Sequence, residues 1–425
     1  MTMVNAYDGN KISLEPADQA LIARRQKVLG PAYRLFYDTP LHPVKGQGVW
    51  LWDSAGNRYL DAYNNVVSVG HCHPAVTQAI AAQAGTLNTH TRYLHDGPVD
   101  YAERLLATMP GALGHVMFTC TGSEANDLAL RIARAHTGRQ GVIVTRLAYH
   151  GVTEAVAELS PSLGAGVPRG ARVRLMDAPD GGPDQGARMA ANLAAAIAEM
   201  RKDGIEPAAF ICDTVFSSDG LFPDPAGFLG PAVNLIRAEG GIFIADEVQP
   251  GFARTGDAFW GFQRHGVVPD MVTMGKPMGN GFPVSGVAMR PELVAEFGSN
   301  ARYFNTFGGN PVACAAGMAV LDVIENEGLQ ENSRRVGAWL KAGLQELNIG
   351  PVRGAGLFVA VDCLTNGAPD AALARHIVNH MRNNGVLISA TGPGANVLKI
   401  RPPLVMQEAE AQILIDAVAA ARRAA

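Results

Sequence analysis

The sequence predicts an α/β protein: a large domain on a mainly parallel seven-stranded sheet, with a smaller α+β domain assembled from both chain ends. Three observations carry this. Seven short apolar runs recur through the middle of the chain, most of them separated by helix-patterned stretches, the alternation that builds a sheet covered on both faces. The two ends lack that alternation. The 425 residues, 48% hydrophobic and 17% charged, suffice for a large core and more than one domain.

Taken in order, residues 47–63 ("QGVWLWDSAGNRYLDAY") read as a hairpin turning at Ser54–Asn57. The apolar runs are 115–120, 141–146, 172–177, 208–213, 241–246, 270–275 and 284–290. After the first comes "SEANDLALRIARAHTG", a helix with Leu128, Ile132 and Ala135 near one face and Gly138 placed to stop it. Only a short Gly-rich link joins the last two runs. A parallel crossover needs more chain, so one of these strands is expected to run antiparallel. Stretches 162–170 and 178–186, rich in Gly and Pro, read as surface loops. From about residue 325 a helical stretch leads to "GLFVAVDC", "VLKIRPP" and a C-terminal helix. The expected division is 1–58 as the N-terminal part of the small domain, 59–324 as the large domain and 325–425 as the C-terminal part.

A net charge of −4 gives no electrostatic reason to expect nucleic acid or an anionic membrane as partner. Five scattered cysteines form no C-x-x-C pair, which argues against a disulfide framework or structural zinc and fits a reducing compartment. "MTMVNAYDGNKISLEP" lacks the pattern of a signal or transit peptide, and no run approaches membrane-spanning length. The expected location is the cytoplasm. His71 and His73 in "HCHP" are too close for a paired zinc site and lack a third ligand, so a structural turn is expected and no metal. No G-x-G-x-x-G follows a strand, which disfavours a nicotinamide dehydrogenase.

Ligands in an open α/β sheet bind at the C-terminal ends of the parallel strands, and three strand ends here carry unusual residues. Thr121, Gly122 and Ser123 open a helix after 115–120. Helix N-termini suit a phosphate, although Thr121 and Glu124 also read as a plain capping box. Asp246 ends a buried run, where a carboxylate needs a cation or a set of backbone N–H groups. Lys276 ends the run 270–275. It is either a solvated loop residue or an amine with a lowered pKa, suited to imine chemistry. Together, a phosphate cup, an acid for a pyridinium nitrogen and a condensing amine are what pyridoxal phosphate requires. Tyr149 in "YHG" offers a ring to stack on it.

With "TGSEAND", "AYHG", "IFIADEVQPGFARTG", "TMGKPMGNGFPV" and "FNTFGGNPVACAAG", the chain from about Gly48 onward resembles the class III (omega-type) aminotransferases, which are fold type I pyridoxal-phosphate enzymes. That resemblance implies that Lys276 is the Schiff-base lysine and the proton-transferring base. It implies that Asp246 pairs with the pyridinium nitrogen and that Tyr149 and Val248 flank the ring. Gly122 and Ser123 would hold the phosphate, joined by Thr306 of the partner in a homodimer with shared sites. Asp213 departs from the pattern, since many members carry a glutamate in that region.

"VLKIRPPL" places Lys399 where many members have a carboxylate-binding arginine, with Arg401 two residues on. Lysine cannot reproduce a bidentate grip. "AYRLFYDTP" offers Arg34, and "LDAYNNVVSVGHCHP" and "LNTHTRYLHDGPVDYA" supply Asn64, Asn65, Arg92 and His95. For Arg34 and Arg92, ordinary ion pairing is the plainer alternative. These segments resemble a branch of phospholyases acting on O-phosphoethanolamine and on a phosphorylated hydroxylysine. The implied reaction is elimination of phosphate, leaving an aldehyde and ammonia, with basic residues on the leaving group. The alternative within the family is a transaminase moving an amino group from an ω-amine or amino acid to a keto acid such as pyruvate. A third reading, of another class, is a cofactor-binding protein without turnover.

Overall fold

Strand and helix signals alternate from residue 115 to residue 289, and the computed structural model, which describes residues 5–9 and 14–425, turns that alternation into one sheet. All seven apolar runs are strands. Across the sheet they lie in the order His115–Thr119, Ser285–Met289, Met271–Met274, Ile242–Asp246, Pro207–Asp213, Gly141–Thr145 and Val173–Met176. Ser285–Met289 runs antiparallel to both its neighbours, while the pairs among the last five are parallel. The short Gly-rich link therefore has the consequence expected of it. The C-terminal ends of Thr119, Asp213, Asp246 and Met274 come to one edge.

Strands Gly141–Thr145, Ile242–Asp246 and Met271–Met274 are buried throughout, as continuous apolar runs in a sheet covered on both faces must be. The helix Gly122–Thr137 packs on one of those faces. It ends where expected, with Gly138 in the left-handed region at φ 67°, which glycine adopts without a Cβ penalty. Leu128 and Ile132 are buried in it, but Ala135 is exposed. The buried face instead includes Ala125, Asn126, Ala129 and Ala133, so the stripe lies nearer the N-terminal half than the sequence pattern placed it.

The chain ends meet. Pro43–Gln47, Trp50–Asp53 and Arg58–Asp61 form an antiparallel meander, and Val386–Leu387 joins its edge in parallel with Arg58–Asp61. A second four-stranded sheet, in the order Val352–Ala355, Phe358–Asp362, Val397–Ile400 and Ser389–Thr391, is wholly C-terminal. Among the described residues no helix is long and apolar enough to cross a membrane.

Candidate active site

The edge where the strand ends converge holds a cavity of about 310 Å³ lined by Gly122, Ser123, Tyr149, Asp246, Val248 and Lys276 together with Asp213 and Gln249. Residues from five separate strand ends thus reach one space, at the place the sheet topology reserves for ligands.

At one end is the helix Gly122–Thr137. Its N-terminus carries the capping box. Thr121 Oγ1 accepts from the Glu124 N–H (3.2 Å), and the Glu124 carboxylate accepts from the N–H groups of Cys120 (2.7 Å) and Thr121 (3.3 Å). This cap satisfies the third turn donor and leaves Gly122 and Ser123 N–H, which have no partner in the helix ladder, for an anion. Two glycines keep the cup open. A Cβ on Gly122 would lie 3.0 Å from Val248 Cγ2, and one on Gly151 would lie 2.8 Å from Ser123 Cα. Gly151 has φ +139° as well, and Ser123 Oγ accepts from the Val152 N–H beside it (3.1 Å). Gly151→Ala is therefore expected to cost at least ~2 kcal/mol of stability through strain and overpacking. A denaturant titration checks this; an unchanged midpoint would mean the loop relaxes freely.

At the other end, Asp246 is 4% exposed, yet among the described residues no arginine or lysine forms an ion pair with it. Its Oδ2 accepts from Asn126 Nδ2 (3.0 Å) and sits 2.7 Å from His150 Nδ1, and its Oδ1 accepts from the Val248 N–H (3.1 Å). Thr273 Oγ1 donates to Asn126 Oδ1 (2.6 Å), which fixes the Asn126 amide with its NH₂ toward the acid. A carboxylate held this firmly in a buried place, with capacity left on Oδ1, suits a cationic ring N–H.

Between them stands Lys276, with Nζ 5.8 Å from the Tyr149 ring centroid. Burial pushes its amine below the ordinary lysine range; Asp246 opposes that shift and Arg401 adds to it. An amine more easily found neutral is a better nucleophile and proton carrier. A phosphate cup, a flanked slot, a held carboxylate and a low-pKa amine in one cavity fit a phosphorylated pyridine aldehyde.

The class-III aminotransferase family model matches residues 36–421. The chain belongs to the class-III aminotransferase family. This family enzyme uses pyridoxal 5'-phosphate and has the type I fold of such enzymes. It is 42% identical over 411 residues to the Drosophila melanogaster "alanine–glyoxylate aminotransferase 2-like" protein, covering 90% of this chain and 83% of that one. It is 37% identical to the Caenorhabditis elegans "ethanolamine-phosphate phospho-lyase homolog 1", with 96% of each covered. A solved phospholyase from Arthrobacter in complex with phosphoethanolamine superposes with a TM-score of 0.92 at 44% identity, covering 95% of this chain and 100% of that one.

The other sequence candidates of this class-III family member fall in two groups. Arg401 and Lys399 are linked to the cavity lining through Gln249 and Ser217. Arg401 Nη1 donates to Gln249 Oε1 (2.7 Å) and its guanidinium lies 5.1 Å from the Tyr63 ring centroid. Lys399 is 6% exposed and its Nζ donates to the Ser217 carbonyl (2.8 Å). Asn65 Nδ2 is 3.4 Å from Gln249 Oε1. Asn64 caps its own turn, accepting from the Val66 N–H (3.0 Å). The second group is away from this chain's cavity. Arg34, Arg92 and Thr306 are exposed, and Arg92 stacks 3.8 Å over Phe304. His95 caps the helix Asp96–Leu106 through the Gly97 N–H (3.0 Å). Leu94, Tyr93, Val99, Phe304 and Phe307 are exposed in the same two segments.

"HCHP" is a turn whose histidines are both engaged: His71 Nε2 lies 2.8 Å from Asp61 Oδ2, and His73 Nε2 lies 3.0 Å from Glu327 Oε1. Asp213 receives the Val215 and Ser217 N–H groups (3.0 and 3.2 Å), and burial raises its carboxyl pKa. Sequence reasoning missed Asn126, His150, Ser217 and Gln249. His150 adjoins the flagged Tyr149 and Asn126 follows Ser123 by one helical turn, so proximity to marked residues was a usable signal for both. Ser217 carried none.

Proposed function

We propose that this enzyme is a phospholyase that eliminates inorganic phosphate from a phosphorylated amino alcohol such as O-phosphoethanolamine, the enamine product then taking up one water to give an aldehyde and ammonia. The observation that carries this is the likeness to the Arthrobacter phospholyase solved with phosphoethanolamine; the nematode phospho-lyase homologue supports it. The second reading is a transaminase on an ω-amine or amino acid, favoured by similarity to the Drosophila aminotransferase-like protein.

In this reading Gly122 and Ser123 hold the cofactor phosphate by their N–H groups, Tyr149 and Val248 flank the ring, and Asp246 keeps a proton on the ring nitrogen. The cofactor, when bound, supplies an electron sink for charge developing at the amine-bearing carbon. Lys276 anchors it and moves the proton at that carbon. Arg401, bonded to the cavity-lining Gln249, is the cation assigned to the leaving phosphate, whose developing charge a guanidinium stabilises. His150 and Asn126 hold Asp246 in place.

In this reading Arg34, Arg92, His95 and Thr306 act on substrate or cofactor only across a contact with a second subunit. The exposed apolar side chains of 93–99 and 304–307 are what a buried contact between copies would cover, so we propose a homodimer with Thr306 completing the partner's phosphate cup. The division at 58/59 and 324/325, and a cytoplasmic location consistent with five unpaired cysteines, belong to the same proposal. Light scattering and cell fractionation test these.

The deciding experiment mixes holoenzyme with O-phosphoethanolamine, without keto acid, and follows inorganic phosphate. Many equivalents per active site are expected. No release, with the cofactor absorbance stalled until pyruvate is added, would select the transaminase.

A further inference from the structure

Lys399 entered as a candidate phosphate ligand, but its surroundings assign its charge elsewhere. The segment 216–221 carries a backbone that resists its own conformation. Phe216 and Leu221, both buried, have φ 53° and 67°, the left-handed region that large side chains avoid. Such a backbone persists only where its surroundings over-determine it.

What holds it is a row of donors from the C-terminal sheet. Lys399 Nζ donates to the Ser217 carbonyl (2.8 Å), Thr391 Oγ1 to the Ser218 carbonyl (3.2 Å), and Arg353 to the carbonyls of Gly220 (Nη2, 2.6 Å) and Leu221 (Nε, 2.7 Å). The three donors sit on three strands of one sheet, Val397–Ile400, Ser389–Thr391 and Val352–Ala355. Buried carbonyls need such partners.

Ser217, fully buried, passes the constraint on. Its N–H donates to Asp213 Oδ2 (3.2 Å), and its Oγ accepts from Gln249 Nε2 (2.6 Å), while Gln249 Oε1 accepts from Arg401 Nη1 (2.7 Å). Lys399 and Arg401 are thereby joined in a closed circuit through Ser217 and Gln249. The amide of Gln249 has one orientation in that circuit, and Arg401 has its fork fixed by it. Arg401 Nε has no partner among the described residues.

We propose that Lys399 is a positioning residue and not a ligand of the substrate: with Thr391 and Arg353 it clasps the 217–221 carbonyls, so that Ser217 orients Asp213 and Gln249 and leaves Arg401 as the cation for the substrate's anionic end. The part concerning Arg401 rests on the phospholyase reading; the clasp does not.

Two measurements on holoenzyme test it. Amide hydrogen exchange reports the clasp, and the change in cofactor absorbance on titrating O-phosphoethanolamine or ethanolamine reports binding with and without the phosphate. In Lys399→Met the amides of Val215 and Ser217 are expected to exchange about tenfold faster or more, since a buried carbonyl loses its donor. Both amines should weaken by a similar factor. In Arg401→Met, O-phosphoethanolamine should weaken at least about tenfold more than ethanolamine, with exchange at 215 and 217 unchanged.

A Lys399→Met protein that loses O-phosphoethanolamine selectively while exchange stays as in the wild type would make Lys399 a phosphate ligand and overturn the proposal. Should Lys399→Met not fold, Thr391→Val removes one clasp donor more gently, and unchanged exchange across 215–221 in that variant would overturn the clasp. If the wild type itself does not prefer O-phosphoethanolamine to ethanolamine, the phospholyase reading fails while the exchange result still decides the role of Lys399.

Discussion

Lys276→Ala is expected to abolish turnover, with a loss of at least ~10⁴-fold, because the variant lacks both the anchoring amine and the proton carrier. Lys276 is the lysine that lines the cavity, and its lowered pKa comes first from burial. Lys399, the other buried amine nearby, is already committed to the Ser217 carbonyl, so it is not poised to substitute. Borohydride reduction of the wild type followed by peptide mass analysis should place the cofactor on Lys276. The alanine variant should give no reducible adduct. An adduct on another lysine, or turnover within tenfold of wild type, would remove Lys276 from the chemistry.

Asp246→Asn is the second large effect, on the order of 10²–10³-fold in turnover, by comparison with losing one preorganised electrostatic group. The substitution keeps the shape and loses the charge. It also cannot satisfy its neighbours both ways round. Donors face both carboxylate oxygens, Asn126 and His150 on Oδ2 and the Val248 N–H on Oδ1, so whichever way the amide turns, its NH₂ meets an N–H. Weaker cofactor retention on dialysis and a shifted cofactor absorbance should accompany the lost rate. Full retention with normal turnover would show that no charge is needed at this position.

The parts of the site that could be read from the chain share a physical property: each ends a strand or opens a helix. Asp246, Lys276, Gly122 and Ser123 stand where an apolar run stops, and the sheet brings such stops to one edge. The apolar runs also located all seven strands, and the short Gly-rich link marked one of the last two as antiparallel, which is Ser285–Met289. What escaped depends on contacts between distant segments. Asn126 and His150 reach Asp246 across 120 and 96 positions, and Lys399 reaches Ser217 across 182. No local pattern encodes such a meeting. Ala135 went astray for a smaller reason: the buried positions of its helix stop at Ala133, and an alanine near the helix end faces water at little cost. Arg34 and Arg92, drawn from segments that resemble the phospholyase branch, are exposed in the single chain, and one chain's sequence does not say what a second copy would bring against them.

The antiparallel strand Ser285–Met289 lies between His115–Thr119 and Met271–Met274, and this bears on the order in which a growing chain can fold. Thr119 precedes the phosphate cup and Met274 precedes the lysine, yet the sheet joins their two strands only through Ser285–Met289, which pairs with both. Ribosomes add about 5–20 residues per second, so the edge strand waits some seconds, unpaired on that side, before its neighbour emerges. The cofactor site is thus closed by one of the last strands of its sheet to be made. A nascent chain stalled short of that strand would expose a sheet edge, the surface most prone to pair with another chain.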